Sequence, residues 1–317
     1  MAEIGNNIDT AQGLLQEGHL VAIPTETVYG LAGNAFNPDA VASIFATKNR
    51  PAFDPLIVHV ANYQQAEELV THVPEKAKLL AEKFWPGPLT LLLKKKSIIP
   101  DLVTSGLDHV AVRVPGKEIT LALLSKLDFP LVAPSANPFG YISPTNAQHV
   151  ENQLGSKIKY ILDGGDCTIG IESTIVGFEN GEVIIHRLGG LSVDEIEAVV
   201  GSVTVKNHSN SNPKSPGMLL NHYSPTKPIL LGDIPTLLAE NKNKVIGILS
   251  FKDEYSADYQ KTLAADGELK TAAKNLFASL RWLDEQPIDL IITELVPKHG
   301  LGLAINDRLT RATAKKH

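Results

Sequence analysis

The chain has 317 residues, of which 43% are hydrophobic and 20% are charged, which excludes a disordered or fibrous protein and allows about two globular domains. Residues 1–205 carry 14 Lys and Arg against 23 Asp and Glu, so this part lacks the basic surface that sequence-independent nucleic-acid binding requires. No apolar stretch approaches the roughly 20 residues of a membrane span, no secretory signal begins the sequence, and the single cysteine excludes an internal disulfide, so we expect a cytoplasmic protein without a membrane partner.

Short β-rich segments alternate with helical patterns over the first two thirds of the chain. One helix begins at Pro38, a residue favoured at the first helical position, and its apolar residues recur at helical spacing to form one buried stripe. We expect the end of this helix to carry Lys48 and Arg50 out of the core. The strand-like segments are 20–23, 56–58, 110–114 and 174–176. Their Val, Ile and Leu content and their alternation with helices predict an α/β domain over residues 1–205.

A polar segment rich in Asn, Ser and Pro separates this domain from a second one. Because the segment has almost nothing to bury, we place a linker at residues 206–228. Beyond it, strand-like segments at 228–231, 245–249 and 288–292 combine with helical patterns near 270–285 and 302–314. This order predicts a smaller, Rossmann-like α/β domain over residues 229–317.

The usual nucleotide-binding and hydrolase signatures are missing from the sequence. It contains no G-x-x-x-x-G-K-[ST] loop, no G-x-G-x-x-G, no H-x-x-x-H pair and no G-x-S-x-G elbow. What remains are polar residues placed where predicted strands and helices end. α/β sheets form their binding sites at such positions.

Two of these segments combine hydroxyl, acidic and basic side chains. The segment 24–31 follows a buried strand and contains two threonines, an acid and a tyrosine. Lys48 and Arg50 close the amphipathic helix, and Pro51 holds them in an extended conformation. A rigid Lys-x-Arg pair suits a polyphosphate, although cations at a helix end also complement the helix dipole.

Three further segments place polar groups next to predicted strands. They are 133–138 with Ser135 and Asn137, 172–175, and 185–188 with Arg187. Their hydroxyl, amide and guanidinium groups can donate to phosphate oxygens. Each segment taken alone is also typical of an ordinary Ser/Asn turn or of polar residues on a strand.

Taken together, these segments resemble the YrdC-type L-threonylcarbamoyladenylate synthases, in the long form that has an additional C-terminal domain. The resemblance covers essentially the whole chain. It rests on residues 24–31, 48–51, 55–59, 85–90, 110–115, 134–137, 143–145 and 172–175, and on the linker motifs 215–218 and 222–225.

The resemblance implies a YrdC-like twisted mixed-sheet domain that joins L-threonine, bicarbonate and ATP into L-threonylcarbamoyl-AMP and releases pyrophosphate. In this family the product serves the formation of N6-threonylcarbamoyladenosine in tRNA. A separate threonylcarbamoyl transferase complex performs the transfer, so this step requires no contact with tRNA. Because the reaction crowds negative charges together, we expect catalysis mainly by positioning and by cations directed at the phosphates.

The resemblance also implies roles for particular residues. The catalytic set would be Lys48, Arg50, Ser135 and Asn137. Thr27, His59, Arg113 and Ser173 would bind L-threonine, and Arg50, Asp54, Ser135, Ser143, Arg187 and Tyr223 would bind ATP. Mg²⁺ is expected with ATP, held by phosphates and water, and no residue is predicted as a protein metal ligand. The linker would close over the nucleotide as a lid, or serve only as a tether.

Two positions depart from the family pattern. Asp54 stands where many relatives have an amide, which places an acid near the expected triphosphate, and His109 stands where a threonine is frequent. Two other functions remain open at this point. One is a non-catalytic RNA-binding module, which the charge of residues 1–205 disfavours, and the other is a carbamoyltransferase that uses carbamoyl phosphate.

Overall fold

The computed structural model describes residues 1–206 and 223–313, which form two β-sheets with helices packed against them. An 11-stranded sheet of parallel and antiparallel strands belongs to the first part of the chain, and a four-stranded parallel sheet belongs to the second. The predicted fold class, a mixed-sheet α/β domain followed by a smaller α/β domain, is therefore confirmed.

The first sheet is built from eleven short strands with eight helices between them. The strands are β1 (Glu3–Gly5), β2 (Val21–Ile23), β3 (Gly30–Asn34), β4 (Ile57–His59), β5 (Leu89–Lys94), β6 (His109–Arg113), β7 (Leu131–Val132), β8 (Tyr160–Leu162), β9 (Thr174–Glu179), β10 (Glu182–Arg187) and β11 (Thr204–Val205). The helices are α1 (Ile8–Gln16), α2 (Pro38–Lys48), α3 (Tyr63–Leu69), α4 (Glu75–Phe84), α5 (Asp101–Thr104), α6 (Glu118–Ser125), α7 (Ala147–Leu154) and α8 (Val193–Val200).

The order of these strands brings distant parts of the sequence to one place. Across the sheet the strands run β1-β8-β2-β3-β7-β4-β6-β5-β9-β10-β11. The strands β7, β4, β6, β5, β9 and β10 are therefore neighbours. Most of the predicted site residues lie on these strands or just outside their ends, so the topology gathers them at one region of the sheet.

The second sheet contains β12 (Ile229–Leu231), β13 (Ile246–Ser250), β14 (Tyr259–Thr262) and β15 (Leu290–Thr293), with helices α9 (Ile234–Glu240), α10 (Leu269–Asp284) and α11 (Gly302–Ala312). Its strand order is β12-β15-β13-β14. The sequence patterns missed β14, a polar edge strand whose residues are all half-buried, and α9, a helix of only 7 residues. None of the described helices is long and apolar enough to cross a membrane.

Helices cover both faces of the small sheet. Ile248 and Ile292 pack with Ile234 of α9, whereas Leu249 and Ile291 belong to the cluster that includes the apolar face of α10. Successive residues of a strand point to opposite faces, so these adjacent pairs show which side each helix covers. A parallel sheet buried on both faces in this way is the usual arrangement of an α/β domain.

The main apolar core continues from the first sheet into the second domain. Tyr223 stacks on Phe277 of α10 with ring centroids 5.4 Å apart, and both belong to this core. Gly170, at φ +80°, approaches α10 so closely that a Cβ there would lie 2.4 Å from the carbonyl oxygen of Lys274. The two domains are therefore in direct backbone contact.

Gly189 provides a test of the close packing beside β9. A Cβ at this residue would lie 2.4 Å from the carbonyl oxygen of Glu172 and 2.5 Å from the amide nitrogen of Thr174. These are backbone atoms and cannot swing away as a side chain can. We expect Gly189→Ala to lower the free energy of unfolding by about 2 kcal/mol or more, measured by urea denaturation.

The matched control is Gly13→Ala, in the interior of α1. A Cβ at Gly13 meets no atom within 4 Å outside its own helix, so alanine should stabilise the helix by roughly 0.5–1 kcal/mol. If the two substitutions had the same effect, steric conflict at Gly189 would not explain the first.

Candidate active site

A cleft of about 570 Å³ lies at one edge of the large sheet. It is bounded by the ends of β4, β6 and β10, by the residues before β9 and by the loop after β7. Eight of the predicted site residues line it, namely Thr27, Arg50, His59, Arg113, Ser135, Ser173, Arg187 and Tyr223.

The other four predicted residues lie directly behind this lining. Lys48 donates to the backbone carbonyls of Ser135 and Asn137, and Asp54 pairs with Arg50. Ser143 donates to the carboxylate of Glu172, which itself lines the cleft. The structure thus brings all twelve predicted residues to one place.

The end of α2 determines where Lys48 and Arg50 lie. Asn37 caps the start of the helix through its side-chain oxygen, and Asn49 at its end adopts the left-handed conformation at φ 52°. Lys48, before this turn, donates to the carbonyls of Ser135 and Asn137, whereas Arg50, after it, lines the cleft. The expectation that both cations leave the core is wrong, because Lys48 is 1% exposed and Arg50 is 9% exposed.

Carbonyl groups make this burial possible. The Lys48 ammonium donates to two backbone oxygens, while Arg50 donates through Nε to the Asp54 carbonyl at 3.1 Å and through Nη2 to the Pro55 carbonyl at 2.8 Å. Burial, reinforced by the charge of Arg50, lowers the pKa of Lys48 well below its usual value. Burial likewise lowers the pKa of Arg50, and the negative charge of Asp54 opposes that shift.

Asp54 is a fully buried carboxylate. One of its oxygens lies 2.9 Å from Arg50 Nη2, close enough for an ion pair. The same oxygens accept no hydrogen bond of good geometry from any described residue, so charge rather than hydrogen bonding joins the two groups. Asp54 therefore acts on the cleft through Arg50.

The side chain of Asn137 is held in one orientation. Its amide nitrogen donates to the carbonyls of Pro138 at 2.8 Å and Tyr141 at 2.9 Å. Both donors are therefore used within the protein, and they cannot reach a phosphate oxygen as the sequence suggested. The buried Oδ1 of Asn137 accepts no hydrogen bond from the described residues, so only its acceptor side is available.

Arg113 is held by three groups at the end of β6. Its Nε donates to the carbonyl of Gly87, Nη1 donates to the Thr27 hydroxyl at 3.0 Å, and Nη2 lies 2.5 Å from Glu26 Oε1. The other Glu26 oxygen accepts the backbone N–H of Gly116. The guanidinium is therefore fixed in orientation. The Thr27 hydroxyl that it contacts also lies 2.7 Å from the Thr25 hydroxyl.

His59 is buried beside Arg113. Its Nδ1 lies 3.3 Å from the carbonyl of Ile57, which can only accept, so Nδ1 carries the proton. Burial, together with the charges of Arg113 and Arg187, lowers the pKa of His59 to about 3. The ring is neutral near pH 7, and its Nε2 is an acceptor.

A β-bulge positions Arg187 at the end of β10. The pairing with β9 shifts between Ile185 and Arg187, which turns the arginine relative to the regular alternation. Its Nε and Nη2 donate to the Ser173 carbonyl, and Nη2 also reaches the Ser173 hydroxyl at 3.0 Å. Burial lowers the pKa of Arg187 to about 10, so it remains charged.

Sequence reasoning missed the contribution of the second domain to this site. Glu172 belongs to the segment 172–175, but no role was predicted for it. Arg308 of α11 was not predicted to be a site residue. Arg308 Nη2 lies 3.2 Å from Glu172 Oε2, although the two residues are 136 positions apart. No local pattern signals a contact over that separation.

Part of the predicted lid lies outside the described residues. The motif 215–218 and His222 fall there, whereas Tyr223 is described and lines the cleft. Within the described ranges, no group of three or more His, Cys, Asp or Glu side chains is arranged to hold a metal ion.

Comparisons with known proteins agree over the whole length. Residues 13–189 match the family of Sua5, YciO and YrdC described as telomere recombination, and residues 191–314 match the family described as the threonylcarbamoyl-AMP synthase C-terminal domain. The threonylcarbamoyl-AMP synthase of Pyrococcus abyssi is 41% identical over 319 residues, covering 96% of this chain and 94% of that protein. The Bacillus subtilis enzyme is 43% identical over 319 residues, covering 96% and 92%.

A solved structure shows the same fold. The crystal structure of P. abyssi Sua5 complexed with L-threonine has a TM-score of 0.92 and 41% identity, and the match covers 96% of this chain and 94% of that one. The mixed-sheet domain that contains the cleft and the small parallel-sheet domain correspond to the two matched families, which together make up a two-domain synthase. This chain belongs to the Sua5-type threonylcarbamoyl-AMP synthase family, as the sequence motifs indicated.

The state of His59 can be measured directly. Because its pKa in the folded protein is about 3, the ring should stay neutral, with the proton on Nδ1, between about pH 5 and 8. The check is a ¹H–¹⁵N spectrum of the histidine rings recorded across this range. A His59 signal that titrates near pH 6.5 in the folded protein would contradict the assignment.

The same shift affects stability. The unfolded His59 takes up a proton below about pH 6.5 while the folded ring does not, so the free energy of unfolding should fall as the pH drops through that value. His59→Gln is the matched control, because it removes this titration and should reduce the loss between about pH 7 and 5.

Proposed function

We propose that the cleft joins L-threonine, bicarbonate and ATP into L-threonylcarbamoyl-AMP with release of pyrophosphate. The amine of threonine bonds to the carbon of bicarbonate, whose hydroxyl leaves with one amine proton as water, and a carbamate is formed. A carbamate oxygen then bonds to the α-phosphorus of ATP as the bond from that phosphorus to pyrophosphate breaks. No covalent intermediate with the protein is needed for this sequence.

One observation carries the proposal. Three buried guanidinium groups, those of Arg50, Arg113 and Arg187, line a single cleft, and the Lys48 side chain donates to backbone carbonyls behind its wall. The threonine carboxylate, bicarbonate and the triphosphate are all anions. In a site shielded from water, fixed positive charge stabilises such a crowded set far more than it would in solution.

Arg113 and its neighbours support the binding of L-threonine. A guanidinium fixed by Glu26 and Gly87 suits the amino-acid carboxylate, because little orientation is lost when it binds. The hydroxyls of Thr27 and Ser173 and the accepting Nε2 of His59 provide partners for the substrate hydroxyl and amine. The P. abyssi relative is solved in complex with L-threonine, which supports this assignment.

A second set of residues supports ATP binding and the reaction centre. Arg50, Ser135, Arg187 and Tyr223 face the cleft and would contact the nucleotide directly. Asp54 and Ser143 would act from behind, through Arg50 and Glu172 respectively. Lys48 would hold the loop that carries Ser135 and Asn137, keeping the Ser135 hydroxyl aimed at the transferred phosphate.

Mg²⁺ would arrive with ATP. Asp54 is one carboxylate with unsatisfied oxygens next to the cleft, whereas a dedicated cage of several carboxylates is not found among the described residues. This donor set fits an ion held mainly by phosphates and water, as Mg²⁺ usually is with nucleotides. The ion would neutralise part of the phosphate charge, and the residues above would orient the reacting groups.

The product would leave the cleft for a separate threonylcarbamoyl transferase complex that modifies tRNA in the cytoplasm. Residues 1–205 carry an excess of acidic side chains, which supports a step that does not bind tRNA itself. We also propose that residues 206–228 close over the nucleotide as a lid. The position of Tyr223 in the cleft wall supports this role.

Removing either cation of the Lys-x-Arg pair should reduce turnover. We expect Lys48→Ala and Arg50→Ala each to lower pyrophosphate release by roughly a hundredfold or more. Arg50→Ala removes a fixed positive charge at the phosphates, and Lys48→Ala removes the side chain that holds the loop of Ser135. The measurement is pyrophosphate release with ATP, bicarbonate and L-threonine. Lys83→Ala, which removes an exposed cation of α4, is the control and should retain normal turnover.

Near-normal turnover in both active-site variants would contradict the role of the pair. Binding of L-threonine should survive in both variants, since neither Lys48 nor Arg50 contacts Arg113 or the residues that hold it. That binding shows that the variants are folded and separates loss of chemistry from loss of structure.

The choice of amino acid should follow from the hydroxyl and methyl groups of threonine. Serine lacks only the methyl group and should support pyrophosphate release reduced by about tenfold to a hundredfold. Valine lacks the hydroxyl and leaves buried polar groups without a partner, so its rate should fall further. The check is pyrophosphate release with threonine, serine, valine and no amino acid.

Two omissions complete this experiment. Without bicarbonate the rate should fall, and carbamoyl phosphate should not restore it. Equal rates with and without threonine would mean that the cleft hydrolyses ATP and would refute the proposed synthesis.

A further inference from the structure

Arg308 of α11 is the largest fully buried side chain of the described residues, with no exposed surface. Its Nε and Nη2 lie 3.3 and 3.2 Å from Glu172 Oε2, and its Nη1 lies 3.0 Å from Asp307 Oδ2. Its guanidinium also lies over the ring of Tyr223, 5.3 Å from the centroid. A cation of the second domain therefore reaches the wall of the cleft in the first domain.

Glu172 is the partner of Arg308 in the first domain, just before β9. One carboxylate oxygen meets Arg308, and the other accepts the Ser143 hydroxyl at 2.6 Å. Burial alone would raise the pKa of Glu172, but the charges of Arg308 and Arg187 and the bond from Ser143 lower it. Glu172 is therefore an ionised carboxylate within the influence of two arginines.

The two arginines differ in what else they face. Arg187 lines the cleft, whereas Arg308 is enclosed by α11, Glu172 and Tyr223. A buried carboxylate needs a counter-charge, and the loss of one partner leaves a large uncompensated cost. Arg187 lines the same cleft as Glu172 and donates to the carbonyl of the adjacent Ser173, so without Arg308 it would be the first-domain cation that acts on Glu172.

We propose that Arg308 is a positioning residue for ATP: it neutralises Glu172 and thereby leaves the charge of Arg187 directed at the nucleotide. The inference rests on the proposed function, in which Arg187 and Tyr223 contact ATP. It assigns the second domain a part in the reaction, because this domain supplies the counter-charge that meets Glu172 directly, in addition to Arg187 of the first domain.

The first test is Arg308→Met, which keeps much of the apolar stem and removes the charge. The KM for ATP should rise by roughly tenfold or more, because Glu172 then draws on the charge of Arg187. The KM for L-threonine should change by less than about twofold, since the substitution leaves Arg113 and the residues that hold it unchanged.

The dependence on pH distinguishes this mechanism from a merely structural one. Removing Arg308 takes away the largest charge that lowers the pKa of Glu172, so this pKa should rise from its value in the wild-type protein. Lowering the pH should then protonate Glu172 and release Arg187. The KM for ATP of Arg308→Met should therefore recover as the pH falls. The double variant Arg308→Met/Glu172→Gln has no carboxylate at position 172 to neutralise, and Asp307 keeps Arg311 as a partner at 3.3 Å. Its KM for ATP should therefore return to within about threefold of the wild-type value at every pH tested.

Tyr141→Phe is the matched interface control. It removes the bond of 2.6 Å from the Tyr141 hydroxyl to Asp284 Oδ2, which joins the same two domains away from Glu172. This variant should unfold at lower urea concentration, and its KM for ATP should show no recovery at low pH. If it behaved like Arg308→Met, domain docking would explain the effect and the proposal would be wrong.

The double variant keeps the proposal testable if Arg308→Met does not fold. It contains neither member of the Arg308–Glu172 pair and should fold, and the amide oxygen of the new glutamine can still accept the Ser143 hydroxyl. A tenfold rise in its KM for ATP would show that ATP needs the Glu172 carboxylate itself and would overturn the proposal. Absence of pyrophosphate release from the wild-type protein would refute the proposed function instead, so the two failures are distinct.

Discussion

The burial of positive charge at one edge of the large sheet is the constraint on which the rest of the structure depends. An ionised side chain removed from water costs several kcal/mol unless carbonyl or carboxylate oxygens surround it. Asp54 and Glu26 provide such oxygens for Arg50 and Arg113, and backbone carbonyls provide them for Lys48. The loops after α2 and β7 and the end of β6 are held together by these contacts, which leaves the cationic groups in fixed positions before any substrate enters.

The order of the strands makes this concentration of charge possible. Strands β4 and β6 are parallel neighbours, so His59 and Arg113 end side by side. Strand β10 runs antiparallel to β9, and its bulge places Arg187 against Ser173 on the same edge. Residues far apart in sequence therefore share one cleft, and the second domain adds a further arginine from behind.

Much of the site was visible in the sequence because its residues stand at the ends of regular patterns. The strand before His59 and the helix before Lys48 are apolar and periodic, so polar residues that follow them are easily noticed. The burial of Lys48 could not be predicted from the sequence, because it depends on the carbonyls of residues 135 and 137, which are distant in the chain. The contact of Glu172 with Arg308 was hidden for the same reason, because only the folded chain brings the two together. Strand β14 escaped notice because its residues are polar and half-buried.

The continuous apolar core between the two domains limits how the chain can be divided. Tyr223 stacks on Phe277, and Gly170 meets the backbone of Lys274 with no room for intervening solvent. A cut in the polar segment between the domains would leave each fragment with an open apolar face, and such faces promote aggregation. A chain that consisted of the first domain alone would therefore need polar residues on the surface that the second domain covers here.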